Sequence, residues 1–452
     1  MRKLVLASVL MVATSALFAQ SNTSAVSSTG NSNVVTVDQT GLSNNSDVTQ
    51  TGMIGGVGGD DNNANVDQTG DMNDAFVLTQ GDRNVTTTVQ TGDNNSSSQK
   101  QGIGWAEDNT ETITQIGDGN SSDQTQYYDQ NNATNLQIGD NNTSIQYQSS
   151  QDTGPGNDAY AEQFGNNHGA EQRQNGITNQ AYISQGDHDN YAYQNQTGDN
   201  NIVTSYQNDI YLGNTGGNND SYQYQTGDSN NAIVDQGFGP ASNNYAYQNQ
   251  SGDMNFAWSQ QIGDMNDSHA VQTGDFNTVY EIQTGDNNDS DITQTGDNNT
   301  SNTGTVVSPP ATYSQYGQYG DDNSTTVSQT GNVNESNVYQ DGDLNVAGVA
   351  QTGDNNQALI MTVGDNNSAL MSSTGDWNDN LVRQFGDGNS LTADQTGDLN
   401  ISTGFQLSNN NTIMSTQTGD SNYSYTNQSM TNGHSNTVGQ IGNGNSSIVN
   451  QM

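Results

Sequence analysis

The sequence predicts an all-β protein, a two-sheet β-solenoid in which strand-turn-strand rungs of 22 residues stack into a cross-β, amyloid-like column. Three observations predict this fold. A short unit, Q-T-G-D-x-N, recurs every eleven residues, each unit contains a cluster of turn-forming residues, and small or aliphatic residues alternate with polar ones between the turns. Self-similarity at a fixed period is typical of repeat architectures.

The repeat is most regular in the second half of the chain. Units begin at Gln250, Gln261, Gln272, Gln283 and Gln294, each eleven residues after the last. The same step runs through Gln329, Gln340, Gln351, the degenerate units at Thr362 and Ser373, and on through Gln384, Gln395, Gln406, Gln417 and Gln428. Earlier units, with looser spacing, begin at Gln39, Gln68, Gln90, Gln115, Gln137, Gln163, Gln185, Gln196 and Gln225.

An eleven-residue period also suits a right-handed coiled coil. A glycine in every unit and the turn formers T-G-D-N-N would break such a helix, whereas Thr-Gly-Asp-Asn suits a chain reversal. Five to seven residues remain between the turns. That is the length of a short strand, so the repeat predicts strands and not helices.

The alternation within each strand predicts which face is buried. The position two residues after the turn Asn holds small or aliphatic side chains and is expected to point inward: Ala257, Ser268, Val279, Ser290, Ser336, Ala347, Ala358, Ala369, Leu391, Ile413 and Ser424. The intervening positions are expected to face solvent: Trp258, His269, Tyr280, Asp289, Asp291, Glu335, Asp379, Arg383, Asp394, Tyr423 and Tyr425. Glu281 falls in the inward phase, and local bulging is the explanation that the pattern suggests for it.

Glutamine and asparagine share the inward face, where stacked rungs would align them in columns. A column of Gln side chains can form hydrogen bonds along the stack, because each amide is both donor and acceptor. The residues expected to form these ladders are Gln250, Asn255, Gln261, Asn266, Gln272, Asn277, Gln283, Asn288, Gln294, Asn299, Gln340, Asn345, Gln351, Asn356, Gln384, Asn389, Gln395, Asn400, Gln417 and Asn422.

The turns carry an unusual number of aspartates. Acidic turns are expected at Asp253, Asp264, Asp275, Asp286, Asp297, Asp354, Asp365 and Asp376, with Asp253, Asp275 and Asp297 along one edge and Asp264 and Asp286 along the other. One interpretation is that this charge slows uncontrolled stacking and keeps the chain soluble. The other is a calcium-binding edge. In either case lower pH or added salt is expected to speed assembly.

Composition limits the other possibilities. Only 29% of the 452 residues are hydrophobic, and the formal net charge is −43. Such a composition alone would suit a disordered polyanion, which the ordered repeat argues against. Nucleic acid and anionic lipid are not expected as partners, because only six residues are basic. The absence of cysteine excludes a disulfide framework.

The first residues are typical of an export signal. Arg2 and Lys3 precede an apolar run from Leu4 to Val12, and a plausible cleavage stretch ends at Ala19. We predict a signal peptide at 1–19, a polar segment at 20–34, a solenoid at 35–301, a proline-containing loop at 302–314 around Pro309 and Pro310, and the same solenoid continuing over 315–452. No membrane span is expected in the mature chain.

No pattern points to catalysis, a cofactor or a metal site. His168, His188, His269 and His434 have no metal-ligand spacing and are expected to face solvent. Tyrosines at 191 and 193, 222 and 224, and 245 and 247 fall on the outward phase. Stacking between rungs is expected of them, with adhesion to carbohydrate or another surface as the alternative.

The repeat resembles that of the curlins, the subunits of curli fibres, whose unit has the form Q-x-G-x-x-N-x-A-x-x-x-Q. Residues 250–257, Q-S-G-D-M-N-F-A, followed by Gln261, match it, as do residues 351–358, Q-T-G-D-N-N-Q-A. The resemblance covers most of the chain after about residue 35. It implies a functional amyloid: a secreted subunit that forms surface fibres with a nucleator and an outer-membrane secretion channel, in biofilm and adhesion.

We therefore expect a structural protein with roughly 18 to 20 rungs and a length of about 90 Å at the spacing of β-strands. Its partner would be itself, through strand addition at exposed ends. The alternative is a monomeric secreted solenoid that binds calcium, ice or carbohydrate.

Overall fold

The computed structural model describes residues 21–52, 59–102, 106–150, 154–208, 216–236, 241–303, 317–429 and 431–452. The described residues contain strands and no helix. The predicted signal peptide, residues 1–19, lies outside them.

The strands form two sheets, between which the chain alternates. The first sheet has 18 strands: β1 (Thr23–Ser28), β3 (Asn45–Thr51), β5 (Asp74–Gln80), β7 (Ser96–Gln101), β9 (Ser121–Tyr127), β11 (Thr143–Ser149), β13 (Gly169–Asn175), β15 (Tyr191–Thr197), β17 (Asp220–Thr226), β19 (Tyr245–Ser251), β21 (Asp267–Thr273), β23 (Asp289–Thr295), β26 (Ser324–Thr330), β28 (Val346–Thr352), β30 (Ser368–Thr374), β32 (Ser390–Thr396), β34 (Thr412–Thr418) and β36 (Ser435–Ile441).

The second sheet contains β2 (Val34–Thr40), β4 (Asn63–Thr69), β6 (Val85–Thr91), β8 (Thr110–Ile116), β10 (Asn132–Ile138), β12 (Asp158–Asn166), β14 (Gln180–His188), β16 (Ile202–Gln207), β18 (Asn231–Gln236), β20 (Phe256–Ile262), β22 (Thr278–Thr284), β24 (Thr300–Thr303), β25 (Gly317–Tyr319), β27 (Glu335–Asp341), β29 (Gln357–Val363), β31 (Asp379–Phe385), β33 (Ile401–Gln406), β35 (Tyr423–Gln428) and β37 (Ser446–Gln451). β24 and β25 are two pieces of one level, because both pair with β22 and with β27.

Each strand pairs in parallel with the strand one rung away in the same sheet. Gln250 of β19 lies beside Gln272 of β21, 22 residues later. The prediction of an all-β, two-sheet solenoid with 22 residues per rung is confirmed. The 18 levels correspond to a length of about 80 Å at the usual strand spacing.

Some steps between neighbouring rungs are longer than 22 residues. Gln294 lies beside Gln329 although 35 residues separate them, and Gln194 beside Gln223 across 29. Much of the predicted loop around Pro309 and Pro310 falls at residues 304–316, outside the described residues. The strands on either side of each longer step stay in register. At the other end, β1 falls within the segment 20–34 that the repeat pattern left outside the solenoid.

The predicted inward positions are confirmed. Every residue from Ala257 to Ser424 in that set is buried, and no member of the predicted outward set is. The bulge expected at Glu281 is wrong, because β22 keeps regular pairing and Glu281 stays in register with Ser259. His168 is a second correction, since it is 1% exposed instead of facing solvent.

Candidate assembly site: the side-chain ladders and the open ends

Glutamines form hydrogen-bond ladders between the sheets. The Gln250 Nε2 atom donates to Gln272 Oε1 at 2.9 Å, and the Gln272 Nε2 atom donates to Gln294 Oε1 at 3.0 Å. The Gln250 amide also donates to the backbone oxygen of Asn231 at 3.0 Å, which ties the two sheets together. A buried amide with several partners avoids the desolvation penalty of an isolated one. The ladders therefore hold the rungs in register.

Asparagines at the end of each turn form a second set of ladders. The Asn255 Oδ1 atom accepts the backbone N–H of Asn277 at 2.9 Å, and Asn255 Nδ2 donates to the oxygen of Gly274 at 2.8 Å. Both contacts reach the same neighbouring rung. All twenty residues that the sequence predicts for the ladders are buried. The degenerate units interrupt the glutamine columns, since Thr362 and Ser373 stand at glutamine positions.

The turn aspartates lie in two columns along the edges of the solenoid. The backbone N–H of Asp253 donates to Asp275 Oδ1 at 2.8 Å, and that of Asp264 donates to Asp286 Oδ1 at 2.9 Å. The same contact joins Asp354 to Asp376 at 2.8 Å. One carboxylate oxygen in each turn is thus a hydrogen-bond acceptor for the neighbouring rung. The sequence argument considered these aspartates only as charges or metal ligands, and it missed this contact.

The glycine before each aspartate is required by both conformation and space. Gly252 has a φ of 117°, and a Cβ there would lie 2.2 Å from the oxygen of Gly274 in the next rung. The turns of adjacent rungs therefore stack with no room for a side chain. The residue after each of these aspartates also has a positive φ, as Met254 does after Asp253. Bulky side chains such as Trp377 occupy this position.

Glu281 is a carboxyl group enclosed between the sheets. It is 1% exposed, and the hydroxyls of Ser259, Ser268 and Ser290 donate to it at 2.7, 2.5 and 2.9 Å. Burial raises its pKa to about 7, although the three hydroxyls act in the opposite direction. Three small side chains thus provide the space and the donors that let an acid occupy an inward position.

Two further buried titratable residues were missed by the sequence argument. His168 stands at an asparagine ladder position, where its backbone N–H donates to Asn142 Oδ1 at 3.0 Å and its Nδ1 accepts the N–H of Asn190 at 3.3 Å. Burial lowers its pKa to about 4. Glu111 is fully buried, burial raises its pKa, and neither carboxyl oxygen has a partner. The rule of two residues after the turn Asn places Glu111 inward.

The terminal rungs each leave one side without a neighbouring rung. β1 and β2 pair only with β3 and β4, and β36 and β37 pair only with β34 and β35. Inward positions are consequently exposed in β1, with Val26 at 52%, and partly exposed in β2 and β37, whereas Val438 of β36 is 6% exposed. Every ladder ends with groups that face away from the stack.

The terminal rungs also carry less charge than the rest of the solenoid, with Asp38 of β2 as their one acidic residue. Residues 421–452 contain no Asp, Glu, Lys or Arg, and neither do residues 20–37. Asn443 replaces the turn aspartate in the last rung and Asn31 does so in the first. Both keep the hydrogen bond to the neighbouring rung, from Asp420 N to Asn443 Oδ1 at 2.9 Å and from Asn31 N to Asp60 Oδ1 at 2.6 Å.

Comparison with known protein families finds a match to the repeat. The family model described as "Curlin associated repeat" matches residues 263–296 and 345–375. The resemblance to the curlin family that the sequence predicts is confirmed over these two segments. No curated protein matches the chain.

The repeat and the solenoid fold point to a structural, non-catalytic protein. The described residues hold no group of three or more His, Cys, Asp or Glu side chains arranged to bind a metal ion. Within the same ranges, no helix is long and apolar enough to cross a membrane.

Proposed function

We propose that this protein is the structural subunit of an extracellular, curli-like amyloid fibre that grows by addition of whole solenoids end to end. The observation that carries the proposal is that both terminal rungs present open strands in matching register, with Asp38 as the one charged side chain between them. The last rung of one copy would pair with the first rung of the next, and each sheet would continue from copy to copy. Open strand edges of this kind are what most proteins block.

Hydrogen-bond direction supports a head-to-tail contact. In every glutamine ladder the Nε2 atom donates toward the higher-numbered rung, as Gln428 donates to Gln451 Oε1 at 2.7 Å. Gln451 could make the same contact with Gln39 of a second copy, because Gln39 has its own Nε2 directed to Gln68 at 2.7 Å and its Oε1 toward the open end. Contact between the C-terminal rungs of two copies would instead bring the Nε2 donors of both copies together.

The apolar side chains of the two ends also correspond. Val438 of β36 and Val26 of β1 occupy the same inward position of the first sheet, as Val26 and Val48 do within the chain. Val449 and Val37 correspond in the second sheet in the same way. Burying Val26, which is 52% exposed, against a new rung contributes about 1 to 2 kcal/mol.

The charge distribution favours contact at the ends over contact at the sides. The chain carries a net charge of −43, and its turn aspartates line both edges. Two copies approaching side by side would bring these columns together, whereas copies approaching end to end would join two rungs that carry one acidic residue, Asp38, between them.

Secretion through a signal peptide and an outer-membrane channel, nucleation by a partner subunit, and a role in biofilm and adhesion are part of this proposal. They are supported by the matched repeat and by the resemblance of residues 1–19 to an export signal. The ladders and acidic turns would be the residues that fix register and limit lateral association.

Charged substitutions at the two ends test the proposal. Val26→Asp should block the first rung and Val449→Asp the last, because each places a carboxylate that the contact between copies would bury. Either variant alone should stay monomeric in analytical ultracentrifugation, while an equimolar mixture should form dimers and no longer species. Val346→Asp, on an outward position that is 43% exposed, is the matched control and should form fibres.

Fibre diffraction should show a strand spacing of about 4.8 Å along the fibre axis. If the wild-type protein remains monomeric, the monomeric solenoid is the better description of its function. If both end variants polymerise as the wild type does, growth does not use these ends.

A further inference from the structure

Six tyrosines form one continuous patch on the outer face of the first sheet. Strands β15, β17 and β19 each carry two of them, and this tyrosine patch consists of Tyr191, Tyr193, Tyr222, Tyr224, Tyr245 and Tyr247. All six side chains are partly exposed. The outward position predicted for them is confirmed.

The rings contact one another across neighbouring strands. Ring centroids lie 5.6 Å apart for Tyr191 and Tyr222 and 5.3 Å apart for Tyr193 and Tyr224. The next strand continues the contacts, with Tyr245 lying 5.6 Å from Tyr222 and Tyr247 5.7 Å from Tyr224. Planes tilted by 39° to 46° bring ring edges, where the ortho carbons lie, toward the neighbouring ring.

We infer that the tyrosine patch is a site of oxidative cross-linking, in which neighbouring rings of adjacent rungs couple to dityrosine. The oxidant is hydrogen peroxide used by a haem peroxidase. Each of two phenols loses one electron and one proton to give a phenoxyl radical. The radicals couple through ortho carbons, so that two C–H bonds are replaced by one C–C bond, and one hydrogen peroxide is reduced to two waters.

The amino-acid composition favours this cross-link under oxidising conditions, because the chain cannot form disulfides. The protein has no cysteine and 20 tyrosines. The peptide ladders fix the ring pairs in contact. The register of β15 and β17 sets Tyr193 opposite Tyr222, and the rings that touch, Tyr191 with Tyr222 and Tyr193 with Tyr224, lie diagonally across these strands. Coupling therefore needs no rearrangement of the backbone.

The cross-links would join residues that are distant in sequence. Tyr193–Tyr224 closes a loop that includes all of β16, and Tyr224–Tyr247 closes one that includes β18. A covalent link across such a loop restricts the unfolded chain, as a disulfide does. The three rungs would then unfold only together.

The full-length folded chain carrying Val26→Asp, at low concentration, separates this inference from fibre formation. After treatment with a haem peroxidase and hydrogen peroxide, digestion at aspartate and mass spectrometry should find residues 189–198 joined to 220–227, and the latter joined to the peptide that contains Tyr245. The double variant Tyr222→Phe, Tyr224→Phe keeps the packing but removes both central phenols. It should lose all of these cross-linked peptides.

The matched control is Tyr423→Phe, Tyr425→Phe. These two tyrosines also stand two residues apart on an outward face, but the ring that contacts Tyr425 is Phe405, at 5.8 Å. This variant should keep the full yield of patch cross-links. Equal yields from the Tyr222→Phe, Tyr224→Phe protein, products joining separate molecules only, or the same products from the urea-unfolded chain would each overturn the inference.

Discussion

Aspartate and asparagine perform different tasks within one turn although their side chains have the same shape. The turn aspartate only accepts a backbone N–H, as Asp275 does from Asp253. The turn asparagine also donates, as Asn277 does from Nδ2 to the oxygen of Gly296 at 2.7 Å. Only the first task can be performed equally well by either residue.

Exchanging these two residues should therefore have unequal effects. Asn277→Asp places a buried carboxylate against the Gly296 oxygen and should lower the free energy of unfolding by about 2 to 3 kcal/mol. Asp275→Asn keeps the accepted N–H and removes one exposed charge, so it should change stability by less than about 1 kcal/mol. Urea unfolding followed by circular dichroism measures both, and equal losses would contradict the assignment.

Backbone strain at the turn predicts a stabilising substitution. Val333 has a φ of 59° although its side chain is β-branched and 50% exposed. Asparagine tolerates this conformation better, so Val333→Asn should raise the free energy of unfolding by about 1 kcal/mol. The reverse change in the next rung, Asn355→Val, where φ is also 59°, should lower it by a similar amount. A fall in stability for Val333→Asn together with a rise for Asn355→Val would show that side-chain contacts outweigh the strain.

Glu281 predicts a dependence of stability on pH. Its pKa is raised from 4.5 to about 7 by burial between Ser259, Ser268 and Ser290, and Asp291 acts in the same direction. Between these values the folded protein keeps a proton that the unfolded chain releases. The contribution of Glu281 to the free energy of unfolding is therefore fully present below about pH 4.5. It is lost as the pH rises through 7, by about 3 kcal/mol in total.

The Glu281→Gln variant isolates this contribution. Its loss of stability between pH 5 and pH 8, measured by urea unfolding, should be smaller than that of the wild type, because Glu111 and the turn aspartates are common to both proteins. Identical pH profiles would mean that Glu281 does not titrate in this range.

At the level of strands, the eleven-residue period was sufficient to predict the two sheets, the rung length and the buried face. Positions such as Ala257 and Leu391 follow from alternation alone. The hydrogen bond between Asp253 and Asp275 could not be predicted, because it depends on how closely two turns stack. The prediction that His168 faces solvent was wrong, because the sequence does not show that a histidine ring can replace an asparagine amide in a ladder. That replacement depends on the position of a ladder neighbour such as Asn190.

The repetition of strands predicts that one rung can be removed. Deletion of residues 328–349 removes 22 residues and joins Val327 to Ala350, so Gln351 takes the inward position of Gln329. Deletion of 328–348 leaves one residue more, which turns Gln351 outward. The first variant should unfold cooperatively like the wild type, with slightly lower stability. The second should show lost hydrogen-exchange protection around the junction, and equal protection in both would contradict the register.

At the scale of the whole molecule, charge is concentrated along the sides, and the two end rungs carry one acidic residue, Asp38. The interior turns tolerate stacked aspartates because each is held by a backbone N–H, and the strands on both sides are covalently connected. An association between two copies has no such connection. A charge at the end therefore acts on the rate of assembly, whereas a charge in the interior acts mainly on solubility.

Moving acidic residues to the ends should test this distinction without changing the fold. Asn31→Asp and Asn443→Asp reproduce the turn that the interior already contains, and the Oδ1 acceptor for Asp420 is kept at position 443. Two copies would then bring carboxylates together at the contact, which costs about 1 kcal/mol at water-like dielectric. Thioflavin fluorescence should show growth several-fold slower than wild type at low salt. The difference should disappear near 1 M salt, where screening acts within about 3 Å.

Asp275→Asn, which removes an interior charge, should leave the growth rate close to that of the wild type. If the end variants and the interior variant alter the growth rate equally, net charge alone controls assembly. The uncharged turns at Asn31 and Asn443 would then have no separate effect on growth.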